Sequence, residues 1–238
     1  MASGNPTPTV AAVIPAYCEE RYIAAVVAGV LKYLGEVIVI DDGSPDSTAS
    51  KAREAGAEVI RHVRNEGKGA ALKTGLRVLE SRPADYFLVL DGDGQHDPDD
   101  IPNFFAAISS NPSAAVFCGN RMGNIDTMPL VRRWTNQYMS GRVSRACQQI
   151  VPDTQCGFRL YRRDTLPHLL CETNKFDYET EVLLLIARHG LKIDSVTVKT
   201  IYGDEKSKIH PLRDAIRFFR LMDRYQSSSS AGGNGSST

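Results

Sequence analysis

The chain has 238 residues, with 28 basic and 28 acidic side chains, so its formal net charge is zero. The length suits one α/β domain, and the balanced charge excludes a uniformly basic coat, so no nucleic-acid partner is expected. Hydrophobic residues make up 42% of the chain, which excludes bulk disorder. No apolar run reaches the roughly 18 residues of a membrane span, and no signal peptide is visible. A cytoplasmic protein is therefore expected, and five widely spaced cysteines without a CxxC pair agree.

Apolar runs and amphipathic segments alternate over the first hundred residues. Strands are predicted over 10–14, 36–40, 58–64 and 85–90, and helices over 20–34, 46–55 and 68–80. This alternation predicts βαβ units that form a parallel sheet, with a ligand crevice at the carboxyl ends of the strands.

The second half of the chain is less regular. Helices are predicted over 98–109, 130–149, 180–189 and 211–225, and strands over 114–118 and 193–201. The Ser- and Gly-rich segment 226–238 predicts a disordered tail, and residues 1–9 predict a flexible N-terminus. A single domain is therefore expected over residues 10–225.

Acidic clusters follow three of the predicted strands, and these ends should meet at one edge of the sheet. In the last cluster Asp91 and Asp93 alternate with glycines and precede Gln95. Two carboxylates and an amide oxygen can bind a hard cation such as Mg²⁺ or Mn²⁺, and the alternative is a plain Asp/Gly turn. An EF-hand loop is excluded because its sixth and twelfth positions would hold His96 and Pro102.

Two other clusters suggest nucleotide contacts. Asp41 and Asp42 can accept hydrogen bonds from a base edge or a ribose, or they can belong to a turn and helix cap. The glycine-rich segment 65–69 can offer backbone N–H groups and the Lys68 ammonium to a phosphate. The alternative for that segment is a simple connection between two elements.

Basic residues are concentrated in two later segments. Residues 127–152 contain no Asp or Glu but hold four arginines, which can bind an anionic acceptor phosphate or form a solvated helix face. In the last helix Arg213, Arg217, Arg220 and Arg224 form a stripe beside Leu212, Ile216 and Phe219. That pattern predicts contact with an anionic membrane, and the alternative is a helix whose apolar strip packs on the domain.

Six motifs together resemble the family 2 glycosyltransferases, in particular their dolichyl-phosphate mannose synthase-like and polyprenyl-phosphate branch. The motifs are PAYCE (15–19), DDGSPDST (41–48), NEGKGAA (65–71), DGDGQH (91–96), DTQCGFR (153–159) and FDYETE (176–181). Cys18 occupies the usual Asn position of the first motif. The resemblance covers roughly residues 10–220.

The resemblance implies a GT-A fold, an α/β domain with a mostly parallel central sheet flanked by helices. It implies inverting transfer of a sugar from a UDP- or GDP-linked donor, with Mg²⁺ or Mn²⁺ held by Asp91, Asp93 and Gln95. The implied nucleotide-sugar pocket consists of Pro15, Tyr17, Glu19, Asp41, Asp42, Lys68 and Asp91. The implied catalytic residues are Asp153, Arg159 and Arg133, and the acceptor-phosphate candidates are Arg132, Arg133, Ser207 and Lys208.

The implied acceptor is a polyprenyl phosphate at the cytoplasmic face of a membrane, with peripheral contact to anionic lipid. A phosphate acceptor is already ionised and needs no strong base. One alternative is a soluble enzyme with a hydroxyl acceptor, which would require a base such as Asp153, Glu179 or Glu181. The other alternative is an inactive protein that binds a nucleotide sugar.

Overall fold

The computed structural model describes residues 8–123, 130–174, 177–201 and 211–231. Within them, seven strands form one sheet in the order β3-β2-β1-β4-β6-β5-β7. The strands are β1 Val10–Ala16, β2 Glu36–Asp41, β3 Glu58–Arg61, β4 Tyr86–Val89, β5 Ala114–Asn120, β6 Arg159–Arg162 and β7 Lys192–Thr197. The helices are α1 Ile23–Leu31, α2 Thr48–Glu54, α3 Lys68–Leu79, α4 Ile101–Ser110, α5 Leu130–Cys147, α6 Leu166–Leu169, α7 Tyr178–Arg188 and α8 Pro211–Ala231.

Both faces of the sheet are covered, because successive strand residues point to opposite faces. Val13 and Ile40 belong to a cluster with the apolar side chains of α3, α5, α7 and α8. Ile14 and Val39 belong to a second cluster with those of α1 and α4. The sheet is parallel except for β6, which pairs antiparallel with β4 and β5. The prediction of an α/β domain with a mostly parallel sheet is therefore confirmed.

Most predicted elements are present within a few residues of their expected bounds, and β6 and α6 are the exceptions. No element was predicted over 159–162 or 166–169, where the structure has a four-residue strand and a four-residue helix. The short Arg-Leu-Tyr-Arg run of β6 lacks the length of an apolar strand signal, and its pairing with a strand on either side stabilises it.

The last helix differs from its prediction at one end and on one face. It continues to Ala231, past the expected end at Tyr225 and into the segment predicted to be disordered. Phe218, Leu221 and Met222 are buried against the domain, whereas Ile216 and Phe219 on the neighbouring face are exposed. Within the described ranges, no helix has the length and apolarity needed to cross a bilayer.

The C-terminal end of α5 contains a strained glutamine. Gln148 has φ 52°, in the left-handed region that glycine adopts without a Cβ clash. Its N–H donates to the Arg145 carbonyl at 3.3 Å, and the Gln149 N–H donates to the Ser144 carbonyl at 3.2 Å. This is a Schellman pattern, in which the left-handed position is usually glycine.

Replacing Gln148 with glycine is therefore expected to stabilise the protein by about 1 kcal/mol, because the strain of the left-handed position disappears. Equilibrium urea unfolding measures the change. The matched control is Gln148→Ala, which removes the side chain but keeps the Cβ and should gain nothing. An equal gain in both variants would attribute the effect to the side chain and not to the backbone.

Candidate functional site

The carboxyl ends of β1, β2 and β4 bring the predicted donor-site residues to one edge. Ala16 pairs with Asp41 in the β1–β2 ladder, and the Asp42 N–H donates to the Ala16 carbonyl at 2.8 Å. Val13 pairs with Val89, two residues before Asp91. The sheet therefore places the first, second and fourth strand ends side by side, as the sequence predicted.

Lys68 lies at the centre of this edge, between two carboxylates. Its Nζ is 2.6 Å from Asp91 Oδ1 and 2.9 Å from Glu179 Oε1. His96 contacts the other oxygen of Asp91, with Nε2 3.7 Å from Oδ2. The start of α3, the end of β4 and the start of α7 thus meet through one ammonium group.

The electrostatics of the edge follow from burial and from these pairs. Burial alone would raise the pKa of Asp91, but the charge of Lys68 and the hydrogen bond from His96 outweigh it and leave the pKa well below its usual range. The pKa of Asp93 is raised, first by burial and then by the negative charge of Asp91. A further positive charge would therefore stabilise Asp93 in its ionised form.

The donor set at this edge fits Mg²⁺ or Mn²⁺ in part. Asp91, Asp93 and Gln95 offer hard oxygen ligands, and the raised pKa of Asp93 marks a place where a cation offsets repulsion. Among the described residues, no three His, Cys, Asp or Glu side chains converge as metal ligands. The two carboxylates and the amide would therefore share a cation with water or with phosphate oxygens.

Gly157 allows the loop before β6 to approach this site closely. A Cβ at that position would lie 2.5 Å from Asp91 Oδ2 and 2.9 Å from Lys68 Nζ. Any other residue would have to displace the ion pair or the loop. The loop over residues 153–157 is thereby packed directly against the donor site.

Arg159 is buried below this loop and not at the crevice surface. It is 1% exposed, and its guanidinium donates to the carbonyls of Thr154, Cys156 and Glu179 at 2.7–2.9 Å. Its hydrogen-bonding nitrogens are directed at the main chain in this structure, and its catalytic role stays a prediction. Arg159 joins the 153–157 loop to the first turn of α7.

Asp153 is also buried, at 1% exposure. Its carboxylate accepts from Arg121 Nε at 2.7 Å, from Arg121 Nη2 at 3.0 Å and from Asn136 Nδ2 at 2.8 Å. Burial would raise the pKa of Asp153, but these hydrogen bonds and the Arg121 charge outweigh it and lower the pKa. In this structure Asp153 is thus a buried, ion-paired carboxylate, and its catalytic role stays a prediction.

On the nucleoside side, four of the predicted pocket residues are buried and Tyr17 is exposed at the edge. The buried residues are Pro15, Glu19, Asp41 and Asp42. Asp42 accepts from His62 Nδ1 at 2.7 Å and from the N–H groups of Glu66 and Gly67 at 2.9 and 2.8 Å.

Asp41 is similarly engaged within the protein. It accepts from the Ser44 N–H at 3.0 Å and lies 3.0 Å from Arg61 Nε. Both aspartates therefore shape the loops of the pocket in this structure, and Asp41 Oδ2 has no hydrogen-bond partner among the described residues.

The N-terminus of α3 differs from the phosphate cradle considered for the glycine-rich segment. The Gly67 N–H donates to Asp42. The N–H groups of Gly69 and Ala70 donate to the Asn174 carbonyl at 3.0 and 3.3 Å. Protein acceptors thus take these backbone donors, and Lys68 is the group of this segment that faces the acidic edge.

The acceptor-phosphate candidates are only partly described. Arg133 is half-buried on α5, and Arg132 lies on the same helix with a side chain outside the described set. Ser207 and Lys208 lie outside the described residues. The structure therefore leaves their acceptor role as a prediction.

Sequence reasoning did not name Arg121, His62 or His96 as site components, and it named Glu179 only as a candidate base and not as a partner of Lys68. His96 follows the metal motif, and its Nδ1 is buried without a hydrogen-bond partner in the structure. Its position at the end of the DGDGQH motif, five residues after Asp91, was the signal for it in the sequence. Arg121 and Glu179 lie far along the chain from their partners, so only folding reveals the pairs.

A cleft also lies at the opposite edge of the sheet. It has a volume of about 410 Å³ and is lined by residues at the amino ends of the strands, including Thr9, Tyr33 and Pro83. Its lining lacks the acidic cluster that a metal-bound diphosphate requires. We therefore locate the candidate site at the carboxyl edge.

Comparisons with known proteins agree with this geometry. A model of "Glycosyl transferase family 2" matches residues 11–170. The chain is 32% identical over 215 residues to the UDP-N-acetylglucosamine–dolichyl-phosphate N-acetylglucosaminyltransferase of Methanococcus voltae, covering 81% of this chain and 85% of the relative. It is 28% identical over 240 residues to the dolichyl-phosphate beta-glucosyltransferase of Dictyostelium discoideum, covering 89% and 72%.

A solved structure shares the fold. Glucosyl-3-phosphoglycerate synthase from Mycobacterium tuberculosis, in complex with Mn²⁺ and UDP-glucose, superposes with a TM-score of 0.69 at 22% identity. The match covers 93% of this chain and 78% of that protein.

Proposed function

Because the chain belongs to glycosyl transferase family 2, we propose that it transfers a sugar, with inversion, from a UDP- or GDP-linked donor to a polyprenyl phosphate. That the protein is a glycosyltransferase follows from the family match and from relatives of 28–32% identity. The acceptor class is inferred from the site itself, because every carboxylate proposed there as a base is held by an ion pair or a hydrogen bond. Relatives named for dolichyl-phosphate acceptors support the same class.

The three carboxylates predicted as bases for a hydroxyl acceptor are all engaged. Asp153 is ion-paired with Arg121, and Glu179 is ion-paired with Lys68. Glu181 accepts from the Thr173 hydroxyl at 2.6 Å, and such bonds lower its pKa although burial opposes them. A phosphate acceptor is ionised at neutral pH and needs no base, so this arrangement favours phosphate over a hydroxyl.

In the proposed reaction the chain binds and orients the two substrates. Asp91, Asp93 and Gln95 would hold Mg²⁺ or Mn²⁺, which neutralises charge that develops on the leaving nucleoside diphosphate. Asp42 and His62 order the pocket loop beside the donor. The buried Arg159 fixes the 153–157 loop behind the reacting edge. Arg132, Arg133, Ser207 and Lys208 remain the proposed contacts for the acceptor phosphate.

A transfer assay tests the acceptor class. The purified protein is incubated with Mn²⁺ and UDP-glucose, UDP-N-acetylglucosamine or GDP-mannose, with dolichyl phosphate or with dolichol, which lacks only the phosphate. We expect sugar transfer to dolichyl phosphate with one of the donors, and at least about 100-fold less with dolichol, because an unactivated hydroxyl requires a base. Transfer at equal rates to both lipids, or to a soluble alcohol alone, would contradict the proposal.

Contact with the membrane is proposed from the outer faces of two helices. On α5 the buried residues Asn136, Ser140 and Val143 lie opposite Trp134 and Tyr138, which are 73% and 55% exposed. On α8 the exposed residues include Ile216, Phe219 and Arg220. Exposed aromatic and aliphatic side chains beside arginines are typical of helices that lie in an anionic interface.

We expect the protein to sediment with phosphatidylglycerol vesicles at low salt and to be released at high salt. Each basic group contributes about 1 kcal/mol near anionic lipid, so Arg217→Glu with Arg220→Glu should weaken binding at least about 10-fold. The control is Arg53→Glu on α2, which packs on the opposite face of the sheet. Binding that is unchanged by the double reversal, or equally strong to phosphatidylcholine, would argue against this surface.

A further inference from the structure

The ion pair between Lys68 and Asp91 conflicts with a simple metal site. Asp91 Oδ1 lies 2.6 Å from the Lys68 ammonium, so a cation bound to Asp91 would meet the positive charge of Lys68 at close range. The same ammonium is 2.9 Å from Glu179 Oε1. One lysine therefore has two carboxylate partners, and only one of them belongs to the predicted metal-ligand set.

The charges around Lys68 show why the cluster requires a cation. Asp91, Asp93 and Glu179 carry three negative charges, and Lys68 supplies one positive charge. Two negative charges are left, which is the charge that one divalent cation balances.

The surroundings hold Lys68 and Glu179 in fixed positions. The turn that begins α3 is fixed because the Gly67 N–H donates to Asp42 at 2.8 Å and the Gly69 N–H donates to Asn174 at 3.0 Å. The main chain of Glu179 accepts from Arg159 at 2.8 Å. The lysine side chain has a flexible stem of four carbons, so its ammonium can shift between the two carboxylates while these hydrogen bonds hold the backbone at Lys68 and Glu179.

We propose that Lys68 is an internal counter-cation that competes with the divalent metal for Asp91, and that Glu179 is the carboxylate that retains Lys68 when the metal binds. The inference rests on the metal assignment made under the proposed function. It assigns Glu179 as a positioning residue, a role distinct from that of a base. Lys68 then protects the empty donor site from carboxylate repulsion and weakens the binding of metal without a donor.

Two substitutions should change metal affinity in opposite directions. In Lys68→Met the competitor is absent, so the nucleotide-free protein should bind Mn²⁺ at least about 10-fold more tightly. In Glu179→Gln the second partner of Lys68 loses its charge, so the ammonium stays on Asp91 and Mn²⁺ should bind more weakly. Electron paramagnetic resonance of free Mn²⁺ measures both affinities without substrate and without turnover.

Thermal unfolding gives an independent readout of the same exchange. In EDTA, Lys68→Met should melt below the wild type, because its buried carboxylates lack a counter-charge. Saturating Mn²⁺ should raise its melting temperature more than that of the wild type. Lys68→Arg keeps the positive charge and should therefore bind Mn²⁺ as weakly as the wild type. This variant tests the effect of the charge even if Lys68→Met folds poorly.

The control is Lys73→Met on the same helix, whose ammonium donates to the Cys171 carbonyl and to no described metal ligand. It should leave Mn²⁺ affinity unchanged. If the wild type binds Mn²⁺ and Lys68→Met binds it no more tightly, the inference about Lys68 is overturned and the metal assignment stands. If neither protein binds Mn²⁺, the metal assignment falls together with it.

Discussion

Asp93→Ala is expected to abolish sugar transfer and to weaken metal-dependent nucleotide binding by about 100-fold or more. Asp93 follows β4 at the carboxyl edge, and its pKa is raised by burial and by the charge of Asp91. The free energy that a cation gains there is largest when both carboxylates are ionised. Replacing Asp93 with alanine removes one metal ligand and one of the two negative charges that Asp91 and Asp93 offer to the cation.

Calorimetric titration of UDP and GDP, in Mn²⁺ and then in EDTA, measures the effect. The matched control is Asp99→Ala, an exposed carboxylate that pairs with Lys32 and accepts from Tyr33 near the same loop. It should bind the nucleotide as the wild type does. Equal nucleotide affinity of the wild-type protein in Mn²⁺ and in EDTA would show that the site does not use a metal.

Asp153→Ala is expected to cost about 3–5 kcal/mol of stability, because it leaves the buried Arg121 guanidinium without its carboxylate. Arg121 is 6% exposed, and Asn136 on α5 loses its acceptor in the same change. The 153–157 loop packs against Asp91 through Gly157, so turnover should fall as well. Urea unfolding measures the stability, and the assay with dolichyl phosphate measures turnover.

The pH dependence of the free energy of unfolding tests the ion pair between Asp153 and Arg121. The folded pKa of Asp153 is lowered, so its contribution is complete above the unfolded value of about 3.9 and is lost as the pH falls through the folded pKa. The stability gap between the wild type and Asp153→Asn, which keeps the side-chain shape, should therefore narrow at acid pH. An Asp153 variant that loses turnover at full stability would instead assign Asp153 a direct part in catalysis.

Much of the first half of the chain could be predicted because its signals are local. Apolar runs determine β1, β2 and β4, and the three-to-four-residue spacing of leucines determines α3. The carboxyl ends of parallel strands share one edge, so Asp41, Asp91 and Asp93 could be assigned to a common site before the structure was known. The motifs also indicated the correct family.

The roles of Asp153, Arg159 and Lys68 required the tertiary structure. A buried ion pair and a catalytic carboxylate use the same residue types, so composition and spacing do not separate them. Arg121 and Asp153 are 32 positions apart, and Lys68 and Glu179 are 111 apart. Burial and pairing over such separations arise only when helices and loops pack on the sheet.

The sequence by itself determined the fold class, the family and the edge of the sheet at which the predicted donor-site residues meet, because periodicity and strand-end chemistry are local properties. The tertiary structure alone decided the insertion of β6 between β4 and β5, since a four-residue strand is stabilised by its neighbours. It also decided that the Lys68 ammonium forms an ion pair with Asp91 and that Asp153 forms a buried ion pair with Arg121. The physical reason is that desolvation and ion pairing depend on which distant segments meet.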